Sequence, residues 1–135
     1  MFAQAARLLA SGDREQACSR LEAAIRLDPM FAAAYTQLGI EYIRLGRLDD
    51  ALQSLNRAVE IDPDSWNEHY VLAILFYQAG DLARAEASAR RAFRLAQTNA
   101  AVHLVLGYIL CFRDETKAEG IDYLRYAARS LPYAG

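Results

Sequence analysis

Apolar residues fall along this chain at helical spacing, in paired stripes separated by short breaks. Tyr35, Leu38, Gly39 and Tyr42 stand at i, i+3, i+4 and i+7, one face of an amphipathic helix. Gly46 interrupts the pattern. Leu48, Ala51, Leu52, Leu55, Ala58 and Val59 then form a second stripe that stops at Asp62-Pro63. Asp49, Asp50, Gln53, Asn56, Arg57 and Glu60 fill the other side of that second helix, which leaves it one apolar face. Start signals agree with this parsing. Ser65 with Glu68 and Thr116 with Glu119 have capping-box spacing, and Asp81 is placed to cap the helix after Gly80. No strand-like alternation of useful length occurs.

The pairs repeat. Gly12, Gly46 and Gly80 are 34 residues apart, and Asp114 takes the next mark. Ala17, Ala51 and Ala85 keep the interval, as do Ala24, Ala58 and Ala92, and Pro29 with Pro63. Leu38, Leu72 and Leu106 recur as well, each followed by a small residue: Gly39, Ala73, Gly107. Several ladders in one register mean a repeated supersecondary unit.

Tyr35, Leu38-Gly39, Tyr42, Ala51, Leu55 and Pro63 resemble the tetratricopeptide repeat, whose pattern is W-x2-L-G-x2-Y…A-x3-F…P. The resemblance implies an all-α fold: a right-handed α-solenoid of stacked antiparallel hairpins, with about eight helices. One domain, 1–135, would hold units at approximately 1–29, 30–63, 64–97 and 98–135. The first unit lacks the opening residues of its leading helix, so that helix is expected to be short. The fourth carries one extra residue, which sets Gly120, Leu124, Ala127 and Pro132 one place behind the ruler. Gly39 and Gly107 are expected where the helices of a hairpin approach closely, and Ala58 and Ala92 where neighbouring units meet.

The leading helices have a second apolar face. In "VHLVLGYILCF", His103 is the only plainly polar residue, yet the segment is far below the roughly 20 residues a bilayer span needs. His103, Leu106, Gly107 and Leu110 make the inward stripe, leaving Leu104, Val105, Tyr108, Cys111 and Phe112 elsewhere. In the third unit the corresponding residues are Asn67, Tyr70, Val71, Ile74 and Tyr77; in the second they are Thr36, Gln37, Ile40, Ile43 and Arg44. The family resemblance implies that leading helices line a concave groove. These fifteen residues are then the candidate peptide-binding surface, apolar and aromatic. The last helix offers Ile121, Tyr123, Leu124, Tyr126, Ala127 and Leu131 with no following helix to cover it. Tyr123 and Tyr126 are therefore a candidate self-association edge.

Composition narrows the function. With 54% hydrophobic and 24% charged residues the chain folds, and a net charge of -2 gives no global pull toward nucleic acid. Arg84, Arg90, Arg91 and Arg94 make one trailing helix basic, a weak basis for an RNA-binding array. Cys18 and Cys111 match no zinc spacing and read as free thiols. His69 and His103 occupy the slot of Tyr35, as aromatic-slot substitutes rather than metal ligands. No base stands near enough in helical register to activate Cys111, and no phosphate-binding glycine loop is present. The opening residues do not form a signal peptide, so a cytoplasmic location is expected. Gln37, Ile40, Asn67 and Val71 do not match the slots of the carboxylate-clamp subclass. The expectation is a non-catalytic module without cofactor or membrane insertion that binds an apolar or amphipathic segment of a protein partner. A self-assembling or scaffold element competes with it.

Overall fold

The computed structural model describes residues 2–130, with side chains from Gly12 onward. It forms two compact units, Met1–Pro63 and Asp64–Gly135. The division falls where the repeat pattern sets the edge between its second and third units. The described residues are helical throughout, with short turns and no strand.

Unit 1 holds α1 (Phe2–Leu27), α2 (Ala32–Arg44) and α3 (Leu48–Ile61). The expected first hairpin is one continuous helix of 26 residues, so the described residues contain seven α-helices instead of about eight. Gly46 and Gly80 take φ of 78° and 81°, the left-handed conformation that ends a helix, but Gly12 does not. Propagating a helix adds a hydrogen bond per residue. A break at Gly12 would have to be offset by tertiary packing.

α2 and α3 pack through Leu38, Gly39, Ala51, Leu55 and Ala58, all buried. A Cβ on Gly39 would lie 2.8 Å from the Leu55 side chain. α1 docks on α2 through polar contacts around a buried Cys18. The Tyr42 hydroxyl donates to Glu22 at 2.9 Å, and Arg14 lies 3.5 Å from Glu41. The Arg47 guanidinium caps the Tyr42 ring at 4.5 Å. Burial, then the Glu22 hydrogen bond, push the Tyr42 phenol up to about 12, and burial raises the Cys18 thiol.

Unit 2 holds α4 (Trp66–Gln78), α5 (Leu82–Leu95), α6 (Ala100–Leu110), a 3-10 turn (Asp114–Thr116) and α7 (Lys117–Ser130). Its core is Ala73, Ala85, Ala89, Leu106, Ile109 and Leu110, with Phe76, Phe93, Val105 and Tyr123 packed around them. Asp81 caps α5 as expected, accepting from the Arg84 amide at 3.1 Å. Asn99 caps α6 in the same way at 3.2 Å. The two capping boxes do not form. Ser65 makes no side-chain cap bond, and the Thr116 hydroxyl donates backward to the Leu110 carbonyl at 2.6 Å. Thr116 therefore closes the end of α6 instead of opening α7.

α6 and α7 cross where two glycines meet. A Cβ on Gly107 would lie 2.8 Å from Leu124 and 2.9 Å from the Gly120 carbonyl oxygen. This contact covers one side of α7. Leu124 lies over Gly107, Ala127 is fully buried, and the exposed positions include Asp122, Arg125 and Arg129. Leu131 and Pro132 lie outside the described residues.

Candidate functional site

α4 and α6 are apolar almost all round, which in a water-facing fold requires cover on more than one side. α5 and α7 cover one side of each. On the other side the two helices enclose an open concavity of about 280 Å³. Ile74, Tyr77 and Gln78 form one wall, and Leu104, Val105, Tyr108 and Ile109 form the other. Tyr108 keeps 57% of its surface exposed, Leu104 38% and Tyr77 37%. Phe112, 56% exposed, lies at the edge with its ring 5.5 Å from that of Tyr77. No charged residue lines the concavity; the polar side chains among its lining residues are Tyr77, Tyr108 and Gln78.

Five of the fifteen groove candidates meet here: Ile74, Tyr77, Leu104, Val105 and Tyr108. Gln78 and Ile109 were missed. Each stands four residues after another lining residue, Ile74 or Val105, so helical i, i+4 spacing could have found them. Ile109 is buried in the core and lines the concavity as well.

The other candidates are placed differently. Asn67, Tyr70 and Val71 are half-buried along α4, and the Tyr70 ring meets Trp66 edge-on at 5.8 Å. Cys111 is half-buried, with its Sγ 2.9 Å from where a Cβ on Gly120 would stand. It therefore belongs to the α6–α7 crossing rather than to the groove. In unit 1, Thr36 is buried and its hydroxyl donates to the Ala32 carbonyl, so it offers no accessible surface. Gln37 and Arg44 are exposed, Ile40 and Ile43 half-buried, and the Arg44 guanidinium donates to Glu41 at 3.2 Å.

Tyr123 and Tyr126 use their rings within unit 2. The His103 imidazole stacks on Tyr126 with centroids 3.8 Å apart, and Tyr123 meets Phe93 edge-on at 5.2 Å. Tyr126 nevertheless keeps 36% of its surface exposed, while Tyr123 is half-buried. His103 Nε2 lies 2.7 Å from the Gln97 carbonyl, so this nitrogen carries the proton and donates. His69 is likewise buried. Among the described residues no three His, Cys, Asp or Glu side chains converge on a metal-sized space.

The basic stripe of α5 is partly neutralised. Arg90 donates two bonds to Glu119, at 3.0 and 3.2 Å, and Arg84 lies 3.4 Å from Asp81. The Arg90 bond holds the Glu119 carboxyl below its ordinary range. Glu86 joins this network, 2.7 Å from Arg113, which follows α6. Of the four arginines, Arg90 thus braces α5 against α7, while Arg84 pairs within its own turn. Among the described residues no helix is long and apolar enough to cross a membrane.

Residues 2–65 and 70–135 match the family model of the tetratricopeptide repeat. Among solved structures, the chain is similar to a crystal structure of MamA, with a TM-score of 0.81 and 21% identity over 93% of this chain and 73% of that one. A second MamA structure matches with a TM-score of 0.76 and 18% identity, over 86% of this chain and 63% of that one. The MamA RS-1 ArsTM double mutant gives 0.78 and 21%, over 93% and 72%. At these identities the likeness establishes the fold, that of the tetratricopeptide-like helical solenoids. No curated protein matches the sequence.

Proposed function

The chain belongs to the tetratricopeptide repeat family, and from that premise we propose that it is a non-catalytic interaction module holding an apolar or amphipathic segment of a protein partner in the concavity of unit 2. One observation carries the reading. Tyr77, Leu104 and Tyr108 hold large apolar surfaces open to water around a preformed hollow, with no charge among them. Exposed apolar surface gathered in one place marks a binding site. Tyrosine suits the task because its ring anchors while its hydroxyl tolerates solvent. Replacing Tyr77 and Tyr108 together with aspartate should abolish capture of a purified partner and leave helicity intact. Loss of the fold would show that both rings are core and would sink the reading.

A second reading, self-assembly, is supported by an observation at another place in the chain. At the α1–α2 turn Leu27, Met30 and Phe31 are 89%, 61% and 46% exposed. Phe31 occupies the N-cap position of α2, where Ser65 and Asn99 stand at the later turns, and makes no cap bond. If copies associate through this turn, Phe31→Asp lowers the mass measured by sedimentation equilibrium at high concentration. An unchanged mass removes the turn from consideration.

A further inference from the structure

Resting on the reading of the unit 2 concavity as a peptide site, we infer that its partner is a second copy of this chain, whose α1–α2 turn seats in the hollow. Large apolar side chains stand open to water at that turn as they do around the concavity. Leu27, Met30 and Phe31, three of five consecutive residues, are 89%, 61% and 46% exposed. The repeat does not call for them there. In the later units the slots of Met30 and Phe31 hold Asp64 and Ser65, then Thr98 and Asn99. Asn99 caps α6 with its side chain, whereas Phe31 gives up a favoured cap on α2 and leaves its ring half in water. Apolar side chains gathered at a protruding turn mark a contact surface.

Backbone and charge match this turn to the concavity. The turn brings no unpaired amide into an uncharged hollow. The Asp28 amide donates to the Ala24 carbonyl at 2.9 Å, that of Met30 to the Asp28 carboxylate at 3.1 Å, and that of Phe31 to the Asp28 carbonyl at 3.1 Å. Pro29 has no amide hydrogen. Outward carbonyls of a turn need donors, and the side chains of Tyr77, Tyr108 and Gln78 can supply them. The flanking charges are of opposite sign. Arg26, beside Leu27, is exposed and makes no ion pair among the described residues. Asp114 and Glu115, in the 3-10 turn that follows Phe112 at the edge of the concavity, are exposed and make none either. Each copy carries both surfaces, so the contact is heterologous: copies join turn to hollow and extend into a chain or close into a ring.

The test is a mixing experiment on the full chain, read by sedimentation equilibrium over a wide concentration range, with circular dichroism to check each variant. The unaltered chain should associate as concentration rises. Phe31→Asp spoils the turn and Tyr108→Asp the hollow, and each alone should weaken association by about tenfold or more. Aspartate is a favoured N-cap, so Phe31→Asp leaves α2 its start. An equimolar mixture of the two variants should form a one-to-one dimer and nothing larger. Only the intact turn of one and the intact hollow of the other can then meet. Leu104→Asn, a second hollow variant, should act in the mixture as Tyr108→Asp does. A mixture that stays monomeric overturns the inference, as does an unaltered chain that stays monomeric throughout. Association that Phe31→Asp breaks and both hollow variants leave whole would mean that turn meets turn; the inference then falls while the hollow stays open to a foreign partner. Should both hollow variants lose their helices, Leu104 and Tyr108 are core, and the peptide-site reading falls together with this inference.

Discussion

Tyr108→Ala separates a binding surface from a core more sharply than any other single change. A buried aromatic side chain covers about 150–250 Å², and Tyr108 leaves 57% of its surface exposed, so a partner has about 85–140 Å² of it to cover. At roughly 25 cal/mol per Å² that is about 2–3.5 kcal/mol, or a loss of roughly 30- to 350-fold in Kd when the ring is removed. The fold should lose less than binding does, about 1.5–2.5 kcal/mol by the same area rule, because the smaller share of the ring is packed within the chain. Leu110→Ala is the internal contrast. Leu110 is fully buried in the unit 2 core, and its truncation should cost about 2–5 kcal/mol of stability. Fluorescence anisotropy with a groove-binding peptide and urea unfolding of both variants supply the two numbers. Two results refute the reasoning: a folded Tyr108→Ala that binds unchanged, or one that loses as much stability as Leu110→Ala.

Three further outcomes follow from the packing. Gly107→Ala gains about 1 kcal/mol of helix propensity but drives its Cβ against the Gly120 carbonyl, which cannot rotate away; with overpacking costing about 1–3 kcal/mol, urea unfolding should show a net loss, and a gain would mean α6 and α7 do not touch there. Because the Tyr42 phenol is raised to about 12 from an unfolded value near 10, its contribution is fully present below about pH 10 and is lost as pH rises through about 12. Near-ultraviolet absorbance should show a late-titrating tyrosine that Tyr42→Phe removes. Glu119 has the opposite sign: its lowered carboxyl stabilises the fold above the ordinary range near pH 4.3 and stops doing so as pH falls through its folded value. Arg90→Gln should flatten the acid limb of stability, and an unaltered limb would show that the Arg90–Glu119 pair contributes nothing.

The periodicity of the chain determined its helices, most of its turns and its family, because those depend on local spacing. Leu38-Gly39 and Leu106-Gly107 already implied close hairpins, and Gly46 and Gly80 already implied their turns. The second apolar face of α4 and α6 was legible for the same reason, since a stripe that one neighbour cannot cover shows in the order of residues. Which of those residues stay open to water was not. Cys111, just past the end of α6, and Tyr108 sit three residues apart, yet one packs at the Gly120 crossing and the other keeps more than half its surface exposed. Thr116 has a capping pattern but turns its hydroxyl back to Leu110, because the carbonyl at the end of α6 comes within its reach only once the turn has closed. Tyr126, an apparent edge residue, lies against His103 for a similar reason: its partner is 23 positions away in the chain. Spacing along a helix specifies which side chains share a face. What lies opposite that face is decided when distant segments meet, and there the tertiary structure separates core, crossing and groove.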